Sequence, residues 1–222
     1  MKRDTNSLRK PGCVSALIVM LGGLSLGSGC ASYRVVALDA LKPDFHPSAI
    51  EAGGVVACLQ VLDVTSIKRY FGKDLTREGY QPVQVTVANG PDRYLALHVS
   101  QISLPGAEPE AVAKECHFHT AARATTYGVI GIFIWPFLIP AIVDGVGASK
   151  ANGQMDLDFS AKALKDQIIM PYGHASGVLF VPTDQMSSDI VVRLADRENR
   201  ETIVFRWSDG KPIDGRVEKV GG

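Results

Sequence analysis

The chain has 222 residues, 46% of them hydrophobic, and its 23 basic side chains are matched by 23 acidic ones. That balance leaves no basic footprint for nucleic acid, and the apolar content is too high for a disordered polymer. The N-terminus reads as three zones in order. Lys2, Arg3, Arg9 and Lys10 are positive, residues 13–26 are uncharged and mostly apolar, and Gly27, Ser28 and Gly29 are small residues leading into Cys30. This is the layout of a signal peptide, with an apolar run too short for a comfortable span. The positive end stays cytoplasmic and the rest is exported. Removing residues 1–29 takes away four basic residues and one acidic residue. It leaves 193 residues with 19 basic and 22 acidic side chains, enough for one domain with a proper core.

The stretch Leu26-Gly27-Ser28-Gly29-Cys30-Ala31-Ser32 resembles the lipobox of bacterial lipoproteins. The resemblance implies a diacylglycerol on the Cys30 thiol, cleavage before it, and an acylated N-terminus anchored by about 0.8 kcal/mol per buried methylene. Gly27 stands where that family prefers an aliphatic residue, with Leu26 one place further back. Ordinary cleavage near Ala31 is the rival reading. Ala31 after the cysteine implies the periplasmic face of a Gram-negative outer membrane rather than the inner membrane.

Residues 30–52 are expected to be the lipidated cysteine and a tether, with Pro43 and Pro47 discouraging regular structure, although 33–38 has strand character. A first set of strands fills 53–106. Residues 54–64 are rich in β-branched side chains, and Val83, Val85 and Val87 alternate with polar neighbours. Asn89-Gly90-Pro91-Asp92 signals a turn. Leu95, Leu97 and Val99 share a face from which Ile102 and Leu104 fall out of phase, so a bulge is expected near Ser100 and Gln101. The stretch YQPVQVTVANGPDRYLAL resembles the strand–turn–strand of immunoglobulin-like domains in envelope lipoproteins, without a Cys–Trp–Cys signature.

A helical insertion is expected over 107–170. Pro109 suits the first position of a helix, and a second helix follows Pro140, with Asn152-Gly153 expected to break it. Leu157, Ala161, Leu164 and Ile168 mark a face of a further amphipathic helix. Residues 124–143 carry no charge, long enough to span a bilayer if straight. A single span would separate the two sets of strands, and Pro136 and Pro140 interrupt the run. A hairpin bent at Trp135-Pro136-Phe137 fits better, each apolar arm being roughly 12 Å long. Its contact residues are Ile132, Phe133, Trp135, Phe137, Leu138 and Ile139, which meet a membrane or a protein partner, or pack on the domain. Both readings stand at this stage.

The second set of strands fills 171–210: residues 177–182, then a hairpin in which Ile190, Val192 and Leu194 are followed by a charged turn and by Ile203, Phe205 and Trp207. Residues 211–222 are expected to be a C-terminal tail. About seven strands at both ends of the chain suit a mainly β fold, an immunoglobulin-like antiparallel sandwich with an inserted apolar helical hairpin.

Chemistry is sparse. Cys116-His117-Phe118-His119 is the only metal-like cluster, with Cys116 and His119 as its best ligands. Adjacent positions on a helix point about 100° apart, so no metal and no cofactor is expected. Cys58 and Cys116 are the remaining thiols of the exported part, and a disulfide between them is not favoured. His46, His98 and His174 are isolated, and Asp156 and Asp158 stand where a helix is expected to begin. No nucleophile elbow or phosphate loop occurs. The sequence points to a non-catalytic, membrane-anchored envelope lipoprotein acting as a scaffold or interaction module, whose partners are the membrane and either another envelope protein or copies of itself. The alternative is a periplasmic ligand- or metal-binding lipoprotein.

Overall fold

The computed structural model describes residues 32–90, 92–118, 138–196 and 198–219, with 138–147 described by their backbone alone. The strands are β1 Ile50–Ala52, β2 Val55–Val61, β3 Tyr80–Ala88, β4 Leu95–Ile102, β5 Gln167–Ile169, β6 His174–Pro182, β7 Asp189–Asp196, β8 Glu201–Ser208 and β9 Lys211–Lys219. The helices are α1 Val64–Phe71, α2 Pro109–Glu115 and α3 Leu138–Lys162.

The strands form two antiparallel sheets, in the order β1-β2-β3-β6 and β5-β4-β7-β8-β9. Period-2 alternation explains both inner faces. Val83, Val85 and Val87 of β3 point into one core with Leu59, Leu179 and Val181 from their own sheet. Leu97, Val192, Leu194, Ile203, Phe205 and Trp207 enter the same core from the other sheet. Two sheets closing on one apolar layer is the arrangement of a β-sandwich. The crossovers interlock: β3 and β6 are neighbours in one sheet, while β4 and β7, which follow them in sequence, are neighbours in the other.

The expected bulge is present, since the β4–β7 register shifts between Leu97 and Ile102. Trp207 in the core donates its indole N–H to Ser48 O at 2.7 Å, satisfying the polar edge of the largest buried side chain. At one side of the sandwich β9 crosses β1 closely. A Cβ on Gly215 would lie 2.5 Å from Ile50 Cγ2, so only glycine fits the crossing.

Four sequence expectations are corrected. Residues 33–38 are not a strand; 32–42 has no regular secondary structure. α3 runs without a break through Asn152 and Gly153. Leu157, Ala161, Leu164 and Ile168 do not share a buried helical face. Leu157 is 74% exposed, Leu164 lies beyond the helix and Ile168 sits on β5. The buried face of α3 is instead Ala148, Ala151, Met155, Phe159 and, unexpectedly, Asp158 and Lys162. Residues 211–219, read as a tail, form the edge strand β9.

Candidate functional site

β3 and β6 are buried on both faces, because a helical layer covers the side of their sheet that faces away from the core. Asp63 caps α1, its Oδ1 accepting from Ser66 N at 2.7 Å, and Gly72 ends the helix at φ 70°. Acceptor side chains before a helix and glycine after it are the local signals that fix such a short element. Phe71 of α1, Phe159 of α3 and Phe180 of β6 form one aromatic trio, with ring centroids 4.9–5.5 Å apart. Val112, Ala113 and Cys116 from α2 and the following residue complete this second core.

Across the helices lies the strap of residues 32–41. Tyr33, Val36 and Leu38 pack on the second core. Asp39 accepts from Tyr70 OH at 2.8 Å and Arg69 Nη1 at 3.0 Å, and its carbonyl accepts from Gln84 Nε2 at 3.0 Å. Tyr33 donates its hydroxyl to Asp158 Oδ2 at 2.5 Å. The same carboxylate oxygen takes Lys162 Nζ, which also donates to Tyr70 O at 2.6 Å. Asp158 and Lys162 are almost fully buried, with side chains 3% and 7% exposed. Burial lowers the Lys162 pKa against the opposing pull of Asp158. Burial and then the bond to Asp158 raise that of Tyr33. Hydrogen bonds from outside the pair help offset the cost of burying it, and here the strap supplies one through Tyr33.

Two residues near the limits of the described segments, Tyr33 and Phe118, lie close to the end of α1. Tyr33 is three residues after Cys30, and its ring lies where a Cβ on Gly72 would be 3.4 Å away. The next residue, Lys73, places Nζ 5.2 Å from the ring centre of Phe118. Phe118 is held to α3 by Asn152, whose Oδ1 accepts from Phe118 N at 2.9 Å and whose Nδ2 donates to Phe118 O at 3.4 Å. Ala124, where the uncharged run begins, is six residues further on. One pair of neighbouring residues at the end of α1 therefore touches the approach to Cys30 and the approach to the apolar run.

Cys30, His119, Ile132, Phe133, Trp135 and Phe137 lie outside the described residues, while Leu138 and Ile139 fall in the first turn of α3, where the backbone alone is described. Cys58 and Cys116 are both free and fully buried. Burial pushes each thiol up to about 11, the opposite of what a metal-binding thiolate needs. Next to Cys116, His117 Nε2 lies 2.7 Å from Asp156 Oδ1. Among the described residues no group of three His, Cys, Asp or Glu side chains is placed to hold a metal ion. Nor is any helix among them long and apolar enough to cross a membrane. Asp156 and Asp158 stand near the end of α3, not at a helix start; one meets His117 and the other Tyr33 and Lys162.

The described residues also form open clefts, of which two stand out. One of about 370 Å³ is lined by residues including His46, Ser48, Asp209 and Lys211. Ser48 Oγ is committed to the backbone of Leu59, donating to its carbonyl at 2.6 Å and accepting from its N–H at 2.9 Å, so it serves the fold in place of a strand. The other, about 430 Å³, is lined by Lys68, Gly72, Lys73, Asp74, Arg77 and Glu78. Comparison with family models, with curated proteins and with solved structures found no match.

Proposed function

We propose that the protein is a non-catalytic lipoprotein of the bacterial envelope, anchored through acylated Cys30 and holding an immunoglobulin-like domain close against a membrane. The observation that carries this reading is that Tyr33 and Phe118 lie beside consecutive residues, Gly72 and Lys73. Three residues of chain reach at most about 10 Å, so a lipid on Cys30 keeps this end of the domain at the bilayer surface. The uncharged run at 124–143 is reached from the same end. An apolar helical hairpin there, bent at residues 135–137, adds a second contact with the same leaflet or with a protein partner. Ile132, Phe133, Trp135, Phe137, Leu138 and Ile139 supply that contact surface.

The immunoglobulin-like assignment is supported by strand order. In such domains the second and fifth strands pair in one sheet while the third and sixth pair in the other. With β2 taken as the first strand, β3 and β6 against β4 and β7 follow that rule, β5 extends the second sheet, and β8 takes the last place. The helical layer and the strap then sit on the outside of the first sheet, with their job being to fix the anchored end. Ala31 after the cysteine favours the periplasmic face of the outer membrane.

Membrane fractionation tests the proposal. Cys30→Ser should move the protein from the membrane to the soluble periplasmic fraction, wholly if lipid is the sole firm anchor. If removal of residues 126–143 is also required, or if Phe137→Asp with Ile139→Asp has the same effect, the hairpin is the second contact. A protein that stays with the membrane in every one of these variants is not held in the proposed way.

A further inference from the structure

We infer that the turn after α1, residues 72–79, is a docking surface for the anionic headgroups of a phospholipid bilayer, met by Lys68, Lys73 and Arg77. The inference rests on the membrane-proximal reading above and adds a lipid preference to it. A Cβ on Gly72 would lie 3.4 Å from the ring of Tyr33, which is within about 10 Å of chain from Cys30. That reach is about one Debye length in physiological salt. Basic side chains at this distance from an anionic leaflet still feel its surface potential.

The turn is built so that its cations project and one carboxylate does not. Asp74 is recessed, 11% exposed, and accepts from Thr76 Oγ1 at 2.6 Å. Its Oδ2 lies 3.4 Å from both Lys68 Nζ and Arg77 Nε, whose side chains are 52% and 81% exposed. Asp74 therefore gathers two long cations around an open cleft of about 430 Å³ and leaves their outer faces to solvent. Lys73 adds a third, its Nζ 5.2 Å from the ring centre of Phe118. Glu78 is the opposing carboxylate on the rim. An arginine fork and two flexible ammonium groups around a shallow opening suit phosphate oxygens presented by a surface.

The test uses residues 30–222 carrying Cys30→Ser, without the basic and apolar signal segment, sedimented with vesicles of phosphatidylcholine alone or mixed with phosphatidylglycerol. Binding should favour the mixed vesicles and weaken as salt is raised. Lys73→Ala and Arg77→Ala should each reduce it about fivefold, Lys73→Arg should preserve it, and Glu78→Gln should increase it. Lys219→Ala, at the far end of β9, should change nothing. Thermal unfolding of each variant separates lost binding from lost structure, and Glu78→Gln, a gain, does not depend on that control. Equal binding to both vesicle types, no binding to either, or Lys73→Ala/Arg77→Ala binding as the parent does would overturn the inference. A protein that fractionates with membranes through Cys30 yet shows no anionic preference would sink the docking turn while leaving the anchored reading intact.

Discussion

Tyr33 and Asp158, 125 residues apart in sequence, share a hydrogen bond of 2.5 Å that ties the N-terminal strap to α3. Without it the strap would lie on the helices by apolar contact and by Asp39 alone. Tyr33→Phe keeps the ring against Gly72 and deletes only the hydroxyl. Hydrogen bonds to charged acceptors contribute about 2 kcal/mol, so the variant should unfold in urea with a lower midpoint and an unchanged slope. Faster proteolysis within residues 32–41 should accompany it. Unchanged stability and protection would mean the bond contributes nothing.

The Asp158–Lys162 pair should be costly to halve and cheap to replace. Lys162→Met leaves a buried carboxylate facing Tyr33 and should cost about 3–5 kcal/mol. Asp158→Leu combined with Lys162→Met should cost clearly less than Lys162→Met alone. A double-mutant cycle followed by chemical denaturation measures the difference; strict additivity would argue against the pairing.

Phe159 contacts both other rings of its trio and is fully buried. Phe159→Ala should cost about 3–5 kcal/mol through lost burial and the cavity left between α3 and β6. A fall in unfolding free energy below about 1 kcal/mol would mean that the helical layer is loosely held.

The two buried thiols give a chemical readout. With both pushed up to about 11, the folded protein should resist alkylation by iodoacetamide at pH 8 at Cys58 and Cys116, and both should react fully in denaturant. Mass spectrometry of the digested protein reports each site. Rapid labelling of the folded protein at Cys116 would show that the helical layer opens readily.

Acid should act through Asp196. Burial alone would raise this carboxyl, but the N–H groups of Asn199 and Glu198, with Arg93 beside them, outweigh burial and hold it below its usual 3.8. The unfolded chain then takes up the proton first as pH falls. The stabilisation is complete above pH ~4–5 and is lost as pH drops through the folded-state value. Asp196→Asn should flatten the acid limb of stability against pH. An equally steep limb would assign it to other carboxylates.

How much of this was legible depended on how local the cause was. The hairpin of β7 and β8, the valines of β3 and the β4 bulge follow from period-2 alternation, which needs only neighbours. α1 was missed although Asp63 and Gly72 marked both its ends, because Lys68 and Arg69 gave it a loop-like composition. β9 was missed because an exposed edge strand carrying Pro212, Gly215 and alternating charges has no apolar face to betray it. α3 was put out of phase because Asn152-Gly153 reads as a break and Asp156 and Asp158 as the start of a new helix. The partners of buried Asp158 and Lys162 include each other, Tyr70 O, the Phe71 ring and Tyr33, which is distant in sequence. The placing of Tyr33 beside Gly72 and of Phe118 beside Lys73 is likewise a product of the tertiary fold, invisible to any window of sequence.

The interlocked strand order also sets a timetable. The ribosome makes the chain from its N-terminus, and β2 and β3 can pair as soon as both exist. The other neighbour of β3 is β6, with Thr86 opposite Ser176, and β4 awaits β7 in the same way. Until roughly the last quarter of the chain has emerged, neither sheet can close and the valines of β3 have no opposing layer. Contacts of such long sequence separation form slowly and leave sticky strands uncovered meanwhile. Wherever the chain folds, its early strands stay open to association with neighbouring chains until β7 and β8 are in place.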